Sequence, residues 1–374
     1  MGRIVVTGAS GFVGQNLVVA LKTRTKFDVV ALTRTSDLNS FSGCKADHIV
    51  HLAGTSRAAT EDEFRTGNVT YMRQVLECFV PRGPASFFHY ASTVKAPQGG
   101  LYGRSKRDGE DLLRSIAPQM GWIPAIWRLP NLFGKWARPH HNSFVATFVS
   151  QVINEEPLSV HDPDSAVDLL YIDDLIDIIL RKLDATDTAG ATIFERFPTR
   201  RTTVGEVARV IEAIHATRDT SWLPEIDTPL GKQLQATYLS ALEQERRVHT
   251  PGRIGSETGS FSEVFKSGKF GQVSLLTINP GKTRGQHFHN TKCERFHLVQ
   301  GRIKLVERDT RGGTPIHRTV NENQSFWTRP GWIHTLENIG KCPAILLIWA
   351  NEIFQPDARD TYHEDGLKNG PRDG

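Results

Sequence analysis

The chain has 374 residues, with 45 Lys or Arg against 41 Asp or Glu, and a formal net charge of +4 at pH 7. This length predicts roughly two or three domains. The hydrophobic fraction of 39% supplies enough apolar side chains for packed cores and excludes a disordered chain. The small net charge and the lack of a long basic block argue against nucleic-acid or membrane-surface binding, so we expect neither partner.

The start of the chain and its cysteines indicate a compartment. Arg3 leads directly into an apolar strand, without a basic-then-apolar leader. No apolar run approaches the roughly 20 residues that a membrane span needs. The cysteines form no CxxC pair and are too few for a disulfide framework; they are Cys44, Cys78, Cys293 and Cys342. We expect a cytoplasmic protein in a reducing compartment.

Short apolar strands alternate with helical segments in the first half. A helix is predicted over Phe12–Lys22, where apolar residues recur at helical spacing. The predicted strands are Ile4–Thr7, Asp28–Thr33, Ala46–Ala53, Phe87–Ala91 and Ala125–Arg128. Strands that alternate with helices predict a Rossmann-like, doubly wound parallel sheet.

A glycine-rich turn separates the first predicted strand from the first predicted helix. Gly8 permits the tight turn, Gly11 lets backbone N–H groups approach a pyrophosphate, and Gly14 lets the helix pack close to the strand. The N-terminus of the helix then faces the phosphates. This context predicts a dinucleotide site whose contacts lie at Gly8, Ser10, Gly11, Phe12, Val13 and Gly14.

The end of the second strand bears on the choice of dinucleotide. NAD sites place a carboxylate there for the ribose 2′-hydroxyl, whereas an arginine accommodates the 2′-phosphate of NADP. Here Arg34 occupies the position and no carboxylate occurs before Asp37. The pattern favours NADPH, and the alternative is that Arg34 is an ordinary surface side chain.

Tyr102 and Lys106 are one helical turn apart and share a helix face. A nearby lysine is expected to lower the pKa of the phenol, which could then exchange a proton with a carbonyl or alcohol oxygen during hydride transfer. The pair Ser92–Thr93, at the end of an apolar strand, can add a hydroxyl donor to the same oxygen.

The first half resembles the extended short-chain dehydrogenases/reductases (SDRs) that act on nucleotide sugars. The motifs that carry the resemblance, in that family's order, are Thr7-Gly8 with Gly11 and Gly14, His51-Leu52-Ala53-Gly54, Ser92-Thr93, Tyr102 with Lys106, and Arg128 to Gly134. The resemblance implies that Thr93 is the hydroxyl donor, Tyr102 the proton donor and Lys106 the cofactor-ribose ligand. It also implies cofactor contacts at Leu52, Ala53, Gly54 and Leu129.

Two further stretches bear on this resemblance. Tyr171-Ile172-Asp173-Asp174 matches a later motif of the family that opens a helix, where the aspartates are expected to cap rather than to catalyse. The stretch from Arg34 to Asp47 departs from the family because it is short. It leaves little room for a helix between the second and third strands.

The pattern changes to glycine-punctuated short strands near Thr250–Arg253. The strands predicted beyond it are Gln272–Ile278, Phe296–Val299, Ile303–Val306 and Ala344–Trp349. Many short strands with turn signals predict an antiparallel barrel or jelly roll. We place the boundary at Val248, which gives domains of residues 1–247 and 248–374.

Three histidines and a glutamate in the second half have the spacing of metal ligands. His287 and His289 lie two apart and face the same side of a strand, Glu294 follows a short turn, and His334 can come from a second hairpin. Three imidazoles and a carboxylate suit Zn²⁺ or another divalent transition metal. His297 has the opposite strand parity to Glu294 and should point away. Cys293 is a weaker candidate for a fifth ligand.

The second half resembles a cupin, because its first motif, G-x5-H-x-H-x4-E-x6-G, is met at Gly281, His287, His289, Glu294 and Gly301. Gly331, His334 and Asn338 fit the second motif, although Pro330 lies one residue later than the usual proline. The resemblance implies an all-β jelly-roll barrel with the four metal ligands named above. The alternative is a cupin that has lost its metal and keeps the histidines for packing.

Together the halves resemble the CapF-type bifunctional enzymes of bacterial capsule and O-antigen synthesis. Stretches beyond the general motifs carry this resemblance, including His51–Gly54 with Arg57, Gly67–Val69, Pro130–Trp136, Asn142–Ser143, Ala146–Phe148, Thr237–Ser240 and Asp360–Tyr362. It implies substrate contacts at Arg57, Asn131, Lys135 and Asn142, a homodimer, and zinc in the cupin.

The same resemblance implies a reaction on a UDP-linked 4-keto-6-deoxy-N-acetylhexosamine. The cupin epimerises C3 and the reductase reduces the C4 ketone with NADPH. The product is UDP-2-acetamido-2,6-dideoxy-L-talose, a precursor of UDP-N-acetyl-L-fucosamine. The residues fit this chemistry, because a metal can stabilise the enolate that forms when a proton α to a ketone is removed.

Several alternatives stay open from the sequence. The epimerisation base is unassigned, with Lys292 and Tyr362 as candidates, and the zinc can be structural rather than catalytic. The cupin can be a dimerisation or ligand-binding module attached to a simple nucleotide-sugar ketoreductase. It can also be an iron-dependent oxygenase, although the fourth ligand, His334, argues against an open iron site.

Overall fold

The computed structural model describes residues 2–184, 192–194, 197–354 and 360–363. The chain divides into two compact units, one of residues 1–212 with 228–242 and the other of residues 213–227 with 243–374. The later division falls a few residues before the predicted boundary at Val248. The segment 213–227 lies between two segments of the first unit in sequence but belongs to the second unit, which the sequence pattern does not predict.

Most of the helices lie in the first half of the chain. The α-helices are α1 Phe12–Arg24, α2 Glu61–Arg65, α3 Tyr71–Cys78, α4 Gly100–Ile116, α5 Phe144–Ile153, α6 Ile172–Asp184, α7 Val204–Ala216 and α8 Pro229–Ala241. Single 3₁₀ turns occur at Leu38–Phe41, Ala96–Gln98, Pro118–Met120 and Glu245–Arg247, and one π-helical turn at Thr66–Thr70. Among the described helices, none combines the length and the apolarity that crossing a bilayer requires.

The strands of the first unit form a large parallel sheet and two small sheets. They are β1 Arg3–Thr7, β2 Asp28–Leu32, β3 Lys45–Ala46, β4 His48–His51, β5 Val80–Pro81, β6 Phe87–Thr93, β7 Ile123–Leu129, β8 Asn131–Phe133, β9 Ala166–Tyr171, β10 Thr192–Phe194 and β11 Arg200–Thr203. The large sheet runs β10-β7-β6-β4-β1-β2, and its recorded pairings are all parallel. The predicted doubly wound sheet is therefore confirmed.

Strand β1 lies inside the large sheet with apolar layers on both faces. Ile4 and Val6 pack into the layer that contains α1 and α6, whereas Val5 packs into the layer of α3 and β6. Successive side chains of a strand point to opposite faces, so a strand covered on both sides needs a continuous apolar run. The strand order reverses beside β1, between β2 and β4, and ligands of such sheets bind at the carboxyl ends of the strands there.

The connection between β2 and β4 is short, as the sequence predicts. Its helix is a single 3₁₀ turn, Leu38–Phe41, where Asp37 accepts a hydrogen bond from the Asn39 backbone N–H. The prediction of one strand over Ala46–Ala53 is wrong in its bounds. Lys45–Ala46 pairs with β5 in a separate two-stranded sheet, and only β4 joins the large sheet.

The second unit is built from two antiparallel sheets. Its strands are β12 Arg253–Ser256, β13 Gly259–Ser267, β14 Gly271–Ile278, β15 Thr283–Phe288, β16 Glu294–Gln300, β17 Arg302–Asp309, β18 Ile316–Asn321, β19 Ser325–Trp327, β20 Trp332–Asn338, β21 Ala344–Ala350 and β22 Tyr362–His363. One sheet runs β12-β13-β14-β21-β16-β19 and the other β18-β17-β20-β15-β22. Apolar side chains from both sheets form one core, as expected for a cupin-like barrel.

Candidate functional site

The glycine turn after β1 places the N-terminus of α1 at the strand-order reversal. Gly8 has φ +67°, and a Cβ there would lie 2.7 Å from the backbone nitrogen of Ala53. A Cβ on Gly14 would lie 2.2 Å from the carbonyl oxygen of Gly8. Both positions therefore exclude a side chain. Helix α1 starts at Phe12 with Gly11 as its N-cap, which leaves the first N–H groups free for phosphate oxygens.

The other predicted cofactor residues lie after the carboxyl ends of neighbouring parallel strands. Arg34 follows β2, Leu52–Gly54 follow β4, and Leu129 is the last residue of β7. The hydroxyl of Thr7 accepts the Ala53 backbone N–H at 3.2 Å and so connects the ends of β1 and β4. Ser10 is exposed at the tip of the glycine turn, and Val13 is half-buried in α1. The structure thus gathers these residues at one edge of the sheet.

Tyr102 and Lys106 lie on the same face of α4, next to the end of β6. Lys106 is buried, and its Nζ donates a hydrogen bond of 2.9 Å to the carbonyl oxygen of Ala91 in β6. Thr93 is the last residue of the same strand and is also buried. The three residues that the sequence assigns to proton transfer are therefore carried by two adjacent elements.

Burial controls the proton equilibria of this pair. Burial raises the pKa of the Tyr102 phenol, and it lowers the pKa of Lys106 to about 8 even though Glu110 acts in the opposite direction. The prediction that Lys106 lowers the pKa of Tyr102 is wrong, because desolvation of the phenolate is the controlling effect. A tyrosine that keeps its proton at neutral pH is suited to give that proton to a reacting oxygen.

Ser92 and Thr93 have different environments, although they are adjacent in β6. The Ser92 hydroxyl donates to Glu110 Oε1 at 2.5 Å, and Arg128 binds both oxygens of the same buried carboxylate at 2.9 and 2.7 Å. Ser92 is therefore occupied by a structural network. Of the two hydroxyls, that of Thr93 is the better candidate for contact with a substrate.

Asn68 is a central residue of this site, although no sequence motif predicts a role for it. It is fully buried in the π-helical turn, accepts the Thr55 backbone N–H, and donates to the Thr55 carbonyl and to Ser105 Oγ. A Cβ on Gly54 would lie 2.6 Å from Asn68 Oδ1 and 3.1 Å from Lys106 Nζ. The amide thus holds the loop after β4 against α4. A π-helical turn has no clear sequence signal, which explains the omission.

The predicted substrate residues fall into two groups. Arg57 donates to Asn142 Oδ1 at 3.2 Å and to the His140 carbonyl at 2.8 Å, which joins the loops after β4 and β8. Lys135 instead forms an ion pair with Asp173 in the first turn of α6. Asn131 is exposed at the start of β8. The structure therefore brings Arg57 and Asn142 together and assigns Lys135 a separate partner.

The four predicted metal ligands converge in the second unit. One ligand atom each of His287, His289, Glu294 and His334 lies within 4.8 Å of the others. His287 and His334 are paired across β15 and β20, with ring centroids 4.6 Å apart. The register shifts between Gly285 and His287, where Gln286 has φ +62°. The four side chains thus lie close together, as the spacing predicts, although β15 is irregular here and ends at Phe288, one residue before His289.

Backbone carbonyl oxygens orient two of the imidazoles by contacting their Nδ1 atoms. His287 Nδ1 lies 3.1 Å from the Gly285 carbonyl oxygen, and His289 Nδ1 contacts the carbonyl oxygen of Asp360. A carbonyl only accepts, so each Nδ1 must carry the hydrogen, which leaves Nε2 with a free lone pair. Such partners behind a histidine are typical of metal sites.

The protonation states of the clustered side chains are also those that metal binding requires. Burial lowers the pKa of His287 to about 4 and that of His334 to about 3, so both imidazoles are neutral at pH 7. Burial raises the pKa of Glu294, but the positive charge of Lys292 acts against it, and the pKa lies well below its usual range. Neutral imidazoles and an ionised carboxylate are the forms that bind a divalent cation.

The residues fit a divalent transition metal. His289 Nε2 and Glu294 Oε2 are buried without a hydrogen-bond partner among the described residues, although they lie 3.3 Å apart. Buried polar atoms left unpaired are costly, and a cation among them would satisfy both. Three imidazole nitrogens and one carboxylate oxygen match the ligands that Zn²⁺ accepts.

The remaining residues singled out around this cluster differ in their contacts. Lys292 Nζ lies 3.1 Å from Glu294 Oε1, and Tyr362 stacks on Phe288 with ring centroids 5.2 Å apart. Cys293 is not one of the four clustered residues, and all four cysteines of the chain are free. His297 points out of the barrel to Ser325 Oγ at 3.0 Å, as its strand parity predicts.

Comparison with known families agrees with this two-part architecture. Residues 4–194 match the NAD dependent epimerase/dehydratase family. Residues 255–362 match the polysaccharide biosynthesis C-terminal domain. Each match covers one of the two candidate sites.

Whole-chain relatives include both a sequence and a solved structure. The chain is 32% identical over 364 residues to a UDP-2-acetamido-2,6-beta-L-arabino-hexul-4-ose reductase of Pseudomonas aeruginosa, covering 96% of this chain and 98% of the relative. The capsular polysaccharide assembling protein CapF from Staphylococcus aureus aligns with a TM-score of 0.84 and 33% identity, covering 96% of this chain and 99% of that one.

A more distant structure matches a smaller share of the chain. The UDP-glucuronic acid 4-epimerase from Bacillus cereus, in complex with NAD, aligns with 64% of this chain and 96% of its own at a TM-score of 0.54 and 18% identity, which shows a shared fold. The chain therefore belongs to the NAD-dependent epimerase/dehydratase family, and within it to the CapF-type proteins, which join that domain to a polysaccharide biosynthesis C-terminal domain.

Proposed function

We propose that the chain is a bifunctional nucleotide-sugar enzyme with one active site in each unit. The first unit reduces the C4 ketone of a UDP-linked 4-keto-6-deoxy-N-acetylhexosamine with NADPH, and the second epimerises C3 of the same sugar. The observation that carries the proposal is that each unit holds its own set of reactive groups, Tyr102 with Lys106 in one and the His/Glu cluster in the other.

The names of the relatives support the substrate class. One is a reductase of a UDP-linked 4-keto amino sugar and the other assembles capsular polysaccharide. The proposed product is UDP-2-acetamido-2,6-dideoxy-L-talose, used in capsule or O-antigen synthesis through UDP-N-acetyl-L-fucosamine. All four cysteines are free, which suits the reducing cytoplasm where we propose that the enzyme works.

In the first unit the chain supplies the proton and the orientation. Bound NADPH supplies the hydride that C4 accepts. The neutral phenol of Tyr102 donates its proton to the ketone oxygen, and the Thr93 hydroxyl donates a hydrogen bond to the same oxygen. Lys106 is held by the Ala91 carbonyl, and its remaining N–H groups would bind the hydroxyls of the cofactor ribose.

The preference for NADPH rests on the turn after β2. Arg34 is exposed there, and it can bind a 2′-phosphate through charge-assisted hydrogen bonds. The first carboxylate beyond it, Asp37, already caps the 3₁₀ turn by accepting the Asn39 N–H at 3.0 Å. One oxygen of Asp37 is therefore already engaged by the backbone.

In the second unit the cluster of His287, His289, Glu294 and His334 would hold Zn²⁺ or another divalent transition metal. Such an ion supplies Lewis-acid stabilisation of the negative charge that develops on the ketone oxygen when the C3 proton leaves. Neither candidate base is placed by these contacts: Lys292 is engaged by Glu294, and Tyr362 stacks on Phe288, the neighbour of His287 that faces the other side of β15, so we assign no epimerisation base.

We also propose that the protein is a homodimer. The sheet that runs β12-β13-β14-β21-β16-β19 has large apolar side chains on its outward face, and the strand registers place them together. They are Phe265, Leu275, Trp327, Leu347 and Trp349. The four exposed by more than a third are 38–52% exposed. A contiguous apolar patch of this kind is typical of an interface. Sedimentation of the purified protein tests the oligomeric state.

Incubation of the keto-sugar nucleotide with the protein in D₂O, with and without NADPH, tests the bifunctional proposal. We expect deuterium at C3 in both samples and reduction at C4 only with NADPH, read by NMR. If C3 exchange never occurs while C4 is reduced, the chain is a simple ketoreductase whose cupin serves another purpose. Oxygen consumption by the metal-loaded protein would instead indicate an oxygenase.

A further inference from the structure

The segment Asp360–His363 is bound to the hairpin that carries the metal ligands. Strand β22 pairs with the edge of β15, with His363 opposite His287 and Tyr362 opposite Phe288. Strand β15 lies between β22 and β20, the strand that contributes His334. The segment therefore covers the exposed edge of the strand on which His287 lies.

The Asp360 carboxylate is bound by three consecutive backbone N–H groups. Oδ1 accepts from Asn290 at 2.9 Å, and Oδ2 accepts from Asn290, Thr291 and Lys292 at 3.0, 2.7 and 2.8 Å. The Thr291 hydroxyl adds a contact of 3.1 Å to Oδ2. Successive N–H groups of this kind form an anion-binding concavity, here filled by a side chain of the same protein. The turn that they belong to connects His289 with Glu294.

The same residue orients one ligand through its backbone. The Asp360 carbonyl oxygen accepts from His289 Nδ1, and Thr361 Oγ1 lies 3.4 Å from that nitrogen. His289 Nε2 is thereby turned toward Glu294, where it has no hydrogen-bond partner among the described residues. One residue thus sets both the tautomer of a ligand and the turn between two ligands.

We propose that Asp360 is a positioning residue of the metal centre, which holds His289 and the turn to Glu294 in the geometry that retains the ion. This inference rests on the proposed metal binding and adds to it a determinant outside the cupin motifs. Partners behind the ligands of a metal site commonly change metal affinity by 10–100-fold when they are removed.

The test is metal release from the full-length, Zn²⁺-loaded protein into excess chelator. Asp360→Asn removes the negative charge of the carboxylate that the three N–H groups bind, and it is expected to speed metal release by about 10–100-fold. Thr291→Val removes a single contact and is expected to speed release by about five-fold, the equivalent of one hydrogen bond. It serves as a milder variant if Asp360→Asn folds poorly.

Asp309→Asn is the matched control. Asp309 also accepts a backbone N–H from a turn of the second unit, that of Arg311, but its recorded hydrogen bonds and ion pairs include none of the four ligands. It should release metal at the rate of the unchanged protein. The absorption spectrum of the Co²⁺-loaded protein should change in Asp360→Asn and not in Asp309→Asn, because it reports the ligand geometry rather than the stability.

The outcomes separate the two proposals. If the unchanged protein retains no metal, the metal centre itself is refuted and the role of Asp360 with it. If the unchanged protein retains metal, and Asp360→Asn and Thr291→Val release it at the control rate with the control spectrum, the positioning role alone is refuted. Faster release with an altered cobalt spectrum supports it.

Discussion

In the first unit the reactive residues come from separate segments, and hydrogen bonds within the protein hold several of the polar groups around them. Lys106 is bound to the Ala91 carbonyl, and Glu110 is bound to Ser92 and Arg128. In the second unit three of the four clustered residues lie between His287 and Glu294, and three buried polar atoms of the cluster have no hydrogen-bond partner among the described residues. The first site is thus assembled by protein contacts, whereas the second has a place for an ion.

This difference teaches what each site depends on. Where hydrogen bonds within the protein hold a site together, the loss of one reactive atom should affect the chemistry and leave the site in place. Where buried acceptor atoms lie close together without hydrogen-bond partners, a bound cation stabilises the arrangement. The two sites should therefore respond differently to substitution, and independently of each other.

The largest expected effect is that of Tyr102→Phe, which keeps the ring and removes the hydroxyl. Ketone reduction should fall by roughly 10²-fold or more, because the general acid is lost. Deuterium exchange at C3 should continue, since it needs neither NADPH nor this hydroxyl. If exchange also stops while the variant stays folded and metal-loaded, both reactions share one active site and the comparison fails.

The second prediction concerns the metal centre. His287→Ala, His289→Ala, Glu294→Ala and His334→Ala should each deplete the bound metal and stop C3 exchange, because each removes a ligand. The variants should still oxidise NADPH with keto sugar that is already epimerised at C3. His297→Ala is the control, since His297 faces Ser325 outside the barrel. Full metal content in His289→Ala, or metal loss in His297→Ala, would show that the ligands are misassigned; metal analysis reads both.

A smaller effect is expected for Arg34→Glu, which tests the specificity of the first unit alone. Loss of a charge-assisted contact to the 2′-phosphate should cost about 1.5–3 kcal/mol in NADPH binding. The kcat/KM for NADPH should fall relative to that for NADH, with no change in metal content or C3 exchange. An unchanged ratio between the two cofactors would remove Arg34 from the 2′-phosphate site.

The smallest effect is a pH dependence confined to reduction. Burial lowers the pKa of Lys106 to about 8, so its ammonium is charged below that pH and loses its charge as the pH rises through it. The kcat/KM for NADPH should therefore decline above about pH 8, by no more than roughly tenfold per pH unit, because the charged form makes the stronger bond to the ribose. C3 exchange should lack this midpoint. A reduction profile that stays flat to pH 10 contradicts the role of the Lys106 charge.

Local patterns predicted much of both units. The strand–glycine–helix order predicts β1 and α1, and strand parity predicts that His297 points away from Glu294. The His/Glu cluster combines three residues that are close in sequence with His334, which the second cupin motif predicted. In these cases the property depends on neighbouring residues, whose geometry the backbone period largely determines.

The features of the sites that the sequence did not predict depend on contacts between distant segments. The roles of Asn68 and Glu110 appear only when the loop after β4, the strand β6 and the helix α4 meet. The direction of the Tyr102 pKa shift likewise depends on how much of the phenol is buried, which the spacing to Lys106 does not reveal.

By itself the sequence determined the two-part organisation, the parallel and antiparallel sheets, and the residue types of both sites. Those features follow from period, turn chemistry and motif spacing, which act over a few residues. The tertiary structure alone decided which carboxylate binds the Ser92 hydroxyl and which partner holds His289. It did so because hydrogen bonding and desolvation depend on atoms brought together from distant segments, such as Asp360 with the turn at Asn290–Lys292.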